Sequence, residues 1–164
     1  MKKKYKVLIV LFSILFIFLI IGTPKYNSIK IKNKDFKDSQ KTFDESIEKN
    51  SEIDINKIVK FEFDEVYIFT PYYPSKSIYE KLNQEWTTCS TYLGYILLHD
   101  VENESLNDDE FLMVFKKADK VVATNLYKLN NVKNIVVDGH NKLTKDNAKL
   151  VVEKNGENKI VKVK

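Results

Sequence analysis

Residues 61–74 read Phe-Glu-Phe-Asp-Glu-Val-Tyr-Ile-Phe-Thr-Pro-Tyr-Tyr-Pro, the densest run of aromatic and β-branched side chains outside the N-terminus. Phe61, Phe63, Val66, Tyr67, Ile68 and Phe69 suit a pleated, half-buried surface, so the run predicts a central strand. Pro71 and Pro74 end it, because proline cannot donate to a strand ladder and restricts the residue before it. The strand therefore runs into a rigid aromatic turn holding Tyr72 and Tyr73.

Outward from this strand, the downstream chain alternates apolar runs with turn signals. Pro74 to Ser77 opens a helix, with Ser77 and Glu80 at capping-box spacing and Ile78, Leu82 and Trp86 recurring every fourth residue. Thr87 to Thr91 breaks that helix, and the apolar Tyr92 to Leu98 reads as a strand. Phe111–Phe115 and Val121–Tyr127 flank a short polar connection, as a hairpin would. Ile135 to Val137 ends at Asp138-Gly139, a turn signal. Ala148–Glu153 and Lys159–Val163 flank Asn155-Gly156, the clearest hairpin signal in the chain. Upstream, Phe43 and Ile47 predict a helix over 38–50, capped by Asp38 or Ser39. Ile53, Ile55, Ile58 and Val59 mix the two periods and predict a short helix or turn. The expected fold is α+β, a mostly antiparallel sheet with one or two helices on one face.

Ahead of that domain, Lys2, Lys3, Lys4 and Lys6 precede Val7 to Ile21, an uncharged run with Ser13 as its only polar interruption. Residues 1–22 read as a transmembrane anchor or a signal peptide. No small-x-small pair stands at Leu19-Ile20-Ile21-Gly22-Thr23-Pro24, which favours an uncleaved anchor through residues 7–22. The lysine-rich start favours a single pass with the domain outside, although Lys25, Lys30, Lys32, Lys34 and Lys37 dilute that signal. Secretion after cleavage is the alternative. Residues 23–38 read as a polar linker and 39–164 as one extracytoplasmic domain.

All 27 basic residues are lysines, and without arginine the bidentate contacts typical of nucleic-acid binding are absent, so no nucleic-acid partner is expected. Four of those lysines precede the apolar run; the other 23 (27 − 4) balance 23 acidic residues. The lysine, asparagine and isoleucine bias is typical of AT-rich bacterial genomes. Cys89 is the sole cysteine, so no intramolecular disulfide forms.

Phe63-Asp64-x-Val66-Tyr67-x-Phe69-x-Pro71-Tyr72 resembles a motif of small exported bacterial proteins. In them a Trp-Asp or Phe-Asp strand ends in Pro-Tyr and leads into a short helix, an apolar hairpin and a terminal strand. The resemblance covers about residues 55–155 and implies a fold and an exported location; no activity comes with it. Asn83 stands where a glycine is common, and the acidic loop over 100–110 is longer.

Catalytic chemistry has little support. Nucleophilic catalysis would need Cys89 or a serine near His99 or His140; the fold could bring Cys89 and His99 together, but nothing in the sequence requires it, and no G-x-S-x-G elbow or glycine-rich phosphate loop exists. Asp100 to Glu110 fails the EF-hand pattern, with Ser105 at the turn-glycine position and Phe111 at that of the bidentate glutamate. His99 and His140 lack zinc-site spacing, and no catalytic residue, metal or cofactor is expected. The candidate contact residues are Tyr72, Tyr73, Tyr79 and Trp86, for a protein or glycan partner in the envelope, since amphipathic aromatics dominate interface hot spots. The expected function is a non-enzymatic interaction or structural module. A secreted enzyme or enzyme inhibitor with a site assembled only in the fold is the alternative.

Overall fold

The computed structural model describes residues 3–31, 37–49, 51–99, 101–130, 132–137, 141–155 and 158–163. The chain is α+β, with strands in two four-stranded sheets. The first sheet orders β1 (Glu52–Asp54), β7 (Lys149–Asn155), β8 (Asn158–Val163) and β5 (Asn134–Val137). The second orders β4 (Lys120–Lys128), β3 (Glu110–Lys117), β2 (Glu65–Phe69) and β6 (Lys142–Thr144). All pairings are antiparallel except β5 with β8. The strand at 65–69 is interior to its sheet, between β3 and β6, as its residue types predict.

Alternation along β2 and β3 sends side chains to two faces, and both are covered. Val66, Ile68, Phe111, Met113 and Phe115 face the core shared with the first sheet and with α2 (Lys37–Lys49), where Phe43 and Ile47 are buried. Burying side chains of that kind contributes about 1.5–3 kcal/mol each. Phe69, Leu112 and Val114 face the opposite way, onto Ile78 and Leu82 of α4 (Ser75–Leu82) and onto Trp86. The β3–β4 hairpin turns at Ala118 and Asp119, both with positive φ (46° and 62°). The β7–β8 hairpin is present to its Asn155↔Asn158 pair, and Gly156 lies outside the described residues. So do Asp138, Gly139 and His140.

Several local expectations are corrected. The helix predicted over 38–50 begins at Lys37, so Ser39 lies inside it, and its hydroxyl accepts from Asn125 Nδ2 at 3.1 Å. Residues 52–58 split into β1 and α3 (Ile55–Ile58), with Asp54 capping the amide of Asn56. At α4 the Ser77–Glu80 box does not form. The helix starts at Ser75, whose amide donates to Glu104 Oε1 (3.1 Å), a cap from 29 residues away. That helix ends at Leu82 in a left-handed Asn83 (φ 49°), a conformation asparagine tolerates, and Trp86 sits beyond it.

Tyr92–Leu98 is a helix, α5, and not a strand. Thr91 Oγ1 accepts from the amide of Gly94 at 3.1 Å and starts the first turn, while an apolar run of seven carries no period that separates the two states.

The largest departure concerns the expected linker. The N-terminal helix α1 (Lys3–Ile29) runs through Pro24 and is 27 residues, about 40 Å, long. It is long and apolar enough to cross a membrane or to serve as a signal sequence, and the apolar part is unburied. Residues 23–29 are thus helical. Tyr26 is buried, Ile29 O accepts from the amide of Thr87 (3.1 Å), and the amide of Ile31 donates to Thr87 O (2.9 Å). A helix-interior proline costs about 3 kcal/mol or more; the docked stem supplies the burial and hydrogen bonds that offset it.

Candidate partner-facing surface

The aromatic turn after β2 is held from both ends. Pro71 precedes Tyr72, whose amide donates to Ser105 O at 3.0 Å, and the backbone of Tyr72 is left-handed (φ 60°). Bulky residues adopt that conformation at a cost of about 1–2 kcal/mol, so the surrounding contacts impose it. Tyr72 is 64% exposed. Tyr73 turns inward, packing on Phe69 with ring centroids 4.9 Å apart.

The remaining two predicted contact residues lie deeper. Tyr79 is half-buried between Trp86 (4.7 Å, edge-to-face) and His99 (5.5 Å, stacked), and its hydroxyl accepts from Asn103 Nδ2 at 3.2 Å. Burial drives the Tyr79 phenol far above its ordinary range, so it remains neutral. Trp86 is fully buried and presents no ring face to solvent. Of the four, Tyr72 alone is an open contact; Tyr73, Tyr79 and Trp86 belong to the packed layer that α4 forms on the sheet.

That layer depends on two glutamates that sequence reasoning left in an acidic loop. Glu102 Oε1 accepts from the amides of Thr88 and Cys89 and from Thr88 Oγ1 (2.6 Å), and Oε2 accepts from Thr87 Oγ1 (2.5 Å). One carboxylate therefore folds the Thr-Thr-Cys turn over 87–89. Glu104 caps α4, and Asn103 between them (φ 60°) accepts from Thr124 Oγ1 at 3.0 Å. Three short donors in succession at 87–89 are the signal from which such a carboxylate could have been anticipated.

A second polar centre joins α1 to the domain. Glu85 accepts from Lys25 Nζ (3.0 Å) and Tyr95 Oη (2.8 Å), and His99 Nε2 lies 3.2 Å from it. Burial would raise the Glu85 carboxyl, but the hydrogen bonds from Lys25 and Tyr95 outweigh it and hold the group below its ordinary range.

This arrangement separates the one nucleophile–base pair considered from sequence. Cys89 Sγ donates to Glu102 (3.5 Å), whereas His99 pairs with Glu85. Burial pushes the Cys89 thiol up, with the Glu102 charge adding to it, the reverse of an activated nucleophile. A cleft of about 290 Å³ lies beside the layer, lined by Thr88, Asn103, Glu104, Leu112 and Thr124 among others. Its acid is already engaged by the N-terminus of α4. Among the described residues no three His, Cys, Asp or Glu side chains converge as metal ligands. No family model, curated protein or solved structure matches the chain.

Proposed function

We propose that this chain is a single-pass, membrane-anchored domain of the cell envelope that works by binding a protein or glycan partner rather than by catalysis. The observation that carries the reading is the unbroken course of α1. The same helix supplies an unburied apolar segment and, one turn later, Tyr26, whose hydroxyl donates to Cys89 O at 2.9 Å inside the domain. A cleaved leader has no reason to be continuous with a docked stem, so the continuity supports retention of the helix. The lysine-rich start supports a domain outside. Tyr72, exposed on a backbone held in a costly conformation, is the contact we assign to the partner; such conformations cluster at functional sites.

The test is the intact mass of untagged protein in membrane and medium fractions. Full-length protein confined to membranes is expected, and a shortened species in the medium would overturn the anchor. Protease added to intact cells should digest the domain; complete protection would reverse its side. A photo-cross-linking side chain at position 72 should trap a partner in intact envelopes. Equal trapping from an exposed position such as Leu126 would remove the assignment of Tyr72.

A further inference from the structure

The α5 helix is the odd element of the fold. None of its seven residues is buried, yet it is apolar along its whole length. Its exposed residues are not random. Tyr92, Tyr95 and His99 are spaced to share one face, and that face meets the rest of the protein. Tyr92 lies against Phe18 (6.4 Å between ring centroids) and Tyr26 (5.8 Å), Tyr95 against Tyr26 (5.9 Å), and His99 against Tyr79 (5.5 Å). Leu93 and Leu97, four residues apart, are 65% and 70% exposed, with Ile96 beside them. Val101 and Leu106 extend the exposed apolar residues beyond the helix.

Its contacts with α1 set the depth of this helix. A methyl group on Gly22 would overlap the Tyr92 phenol, so the two helices touch at the glycine itself. A hydrocarbon core of ~30 Å takes about 20 helical residues. The uncharged anchor runs from Val7, the first residue after the lysines, to Gly22, a short span. Phe18 lies within it, Gly22 at its end and Tyr26 one turn beyond, and α5 meets all three. A soluble domain exposing Leu93 and Leu97 to water at this place would be costly, at about 25 cal/mol for each Å² of apolar surface left wet. Three tyrosines meet there, and tyrosine favours the boundary between acyl chains and headgroups. Lys25, beside them, keeps its ammonium on Glu85 at the wet side.

We infer that α5 is an interfacial membrane helix: Leu93, Ile96 and Leu97 enter the acyl–headgroup boundary of the bilayer that α1 crosses, and the domain lies down on that surface. The occupant of the apolar face is lipid. The inference rests on the anchor reading above, and adds a second, in-plane attachment to it.

The test uses the full chain in phosphatidylcholine–phosphatidylglycerol vesicles, with Cys89→Ser and single nitroxide-labelled cysteines at Phe12, Leu93, Leu97 or Leu126. Each label is exposed in the fold, so none needs to disturb the core. Collision rates with oxygen, which concentrates in lipid, and with a water-soluble nickel chelate are compared. The expected result is an oxygen-to-nickel ratio several-fold higher at Leu93 and Leu97 than at Leu126, and highest at Phe12. A ratio at Leu97 equal to that at Leu126, with Phe12 still in lipid, overturns this inference and leaves the anchor standing. Phe12 in water overturns both. Leu97 shielded from both reagents with dipolar broadening would put a second copy on the face instead of lipid, and also overturns the proposal.

Discussion

On one face of the second sheet, Phe111, Met113 and Phe115 meet the first sheet and α2; on the other, Leu112 and Val114 meet α4 and Trp86. Both faces are dry, but they are closed by different means. The first is covered by elements that bring their own apolar periodicity. The second is covered by a short helix and a turn whose positions depend on Glu102 and Glu104. Apolar burial alone suffices where long strands oppose each other. Where an eight-residue helix must be held over a sheet, carboxylates folded back onto backbone amides supply the missing constraint.

The sharpest way to break this contrast is to damage each face once. Phe115→Ala empties a position packed edge-to-face against Phe61 and Phe63, and should cost about 3–5 kcal/mol in urea unfolding, lowering stability as a whole. A local effect confined to the hairpin would show that the two sheets do not share a core. Glu102→Gln should cost less, about 1–3 kcal/mol. Amide exchange should rise at 87–99 while the β7–β8 hairpin stays protected. If both regions loosened equally, the carboxylate would not be local to the second face.

Acid sharpens the comparison further. The Glu85 carboxyl is held below its ordinary value of 4.5, so its contribution to stability is complete above that value. That contribution is lost as pH falls through the lower, folded value. Exchange at Tyr95 and in the stem at 25–29 should therefore rise on acidification below about 4.5, and Glu85→Gln should flatten the profile. A profile unchanged in Glu85→Gln would assign the effect to another carboxylate. The smallest expected effect belongs to Tyr72→Gly. Relief of the left-handed strain and the added freedom of glycine nearly cancel, so stability should change by less than about 1 kcal/mol, while partner trapping from a cross-linking side chain at the neighbouring exposed position 76 is lost. A stability loss well beyond that would make Tyr72 a structural residue.

The same division governs what could be read from the chain. The β2 run and the β3–β4 and β7–β8 hairpins were legible because strand periodicity is local. The second face was not. The cap of α4 comes from Glu104, and the turn at 87–89 is closed by Glu102, through contacts 13 to 29 residues apart. Helix α5 was misread because Tyr92–Leu98 is apolar on every side. A helix without a polar face lacks the contrast that would have marked its period. The stem at 23–29 was hidden by Pro24 and its polar residues, though Tyr26, the one aromatic residue among them, was a hint that it docks. Of the candidate contacts, exposure singled out Tyr72, and the pairing of Tyr79 with Trp86 showed why aromatic content alone does not mark a surface.

The unbroken helix also removes a swivel. A disordered linker would let a domain sample a hemisphere above the membrane, and a partner would meet Tyr72 at many heights and angles. If α1 is retained as the anchor proposed above, the stem clasped by Tyr26 and Glu85 would carry Tyr72 at one altitude, free only to glide and spin in the plane. Recognition then becomes a matter of matching heights as well as chemistry. A ligand fixed at the wrong distance from the bilayer is rejected however well it fits, and one at the right distance meets a tyrosine whose positional freedom was given up in folding.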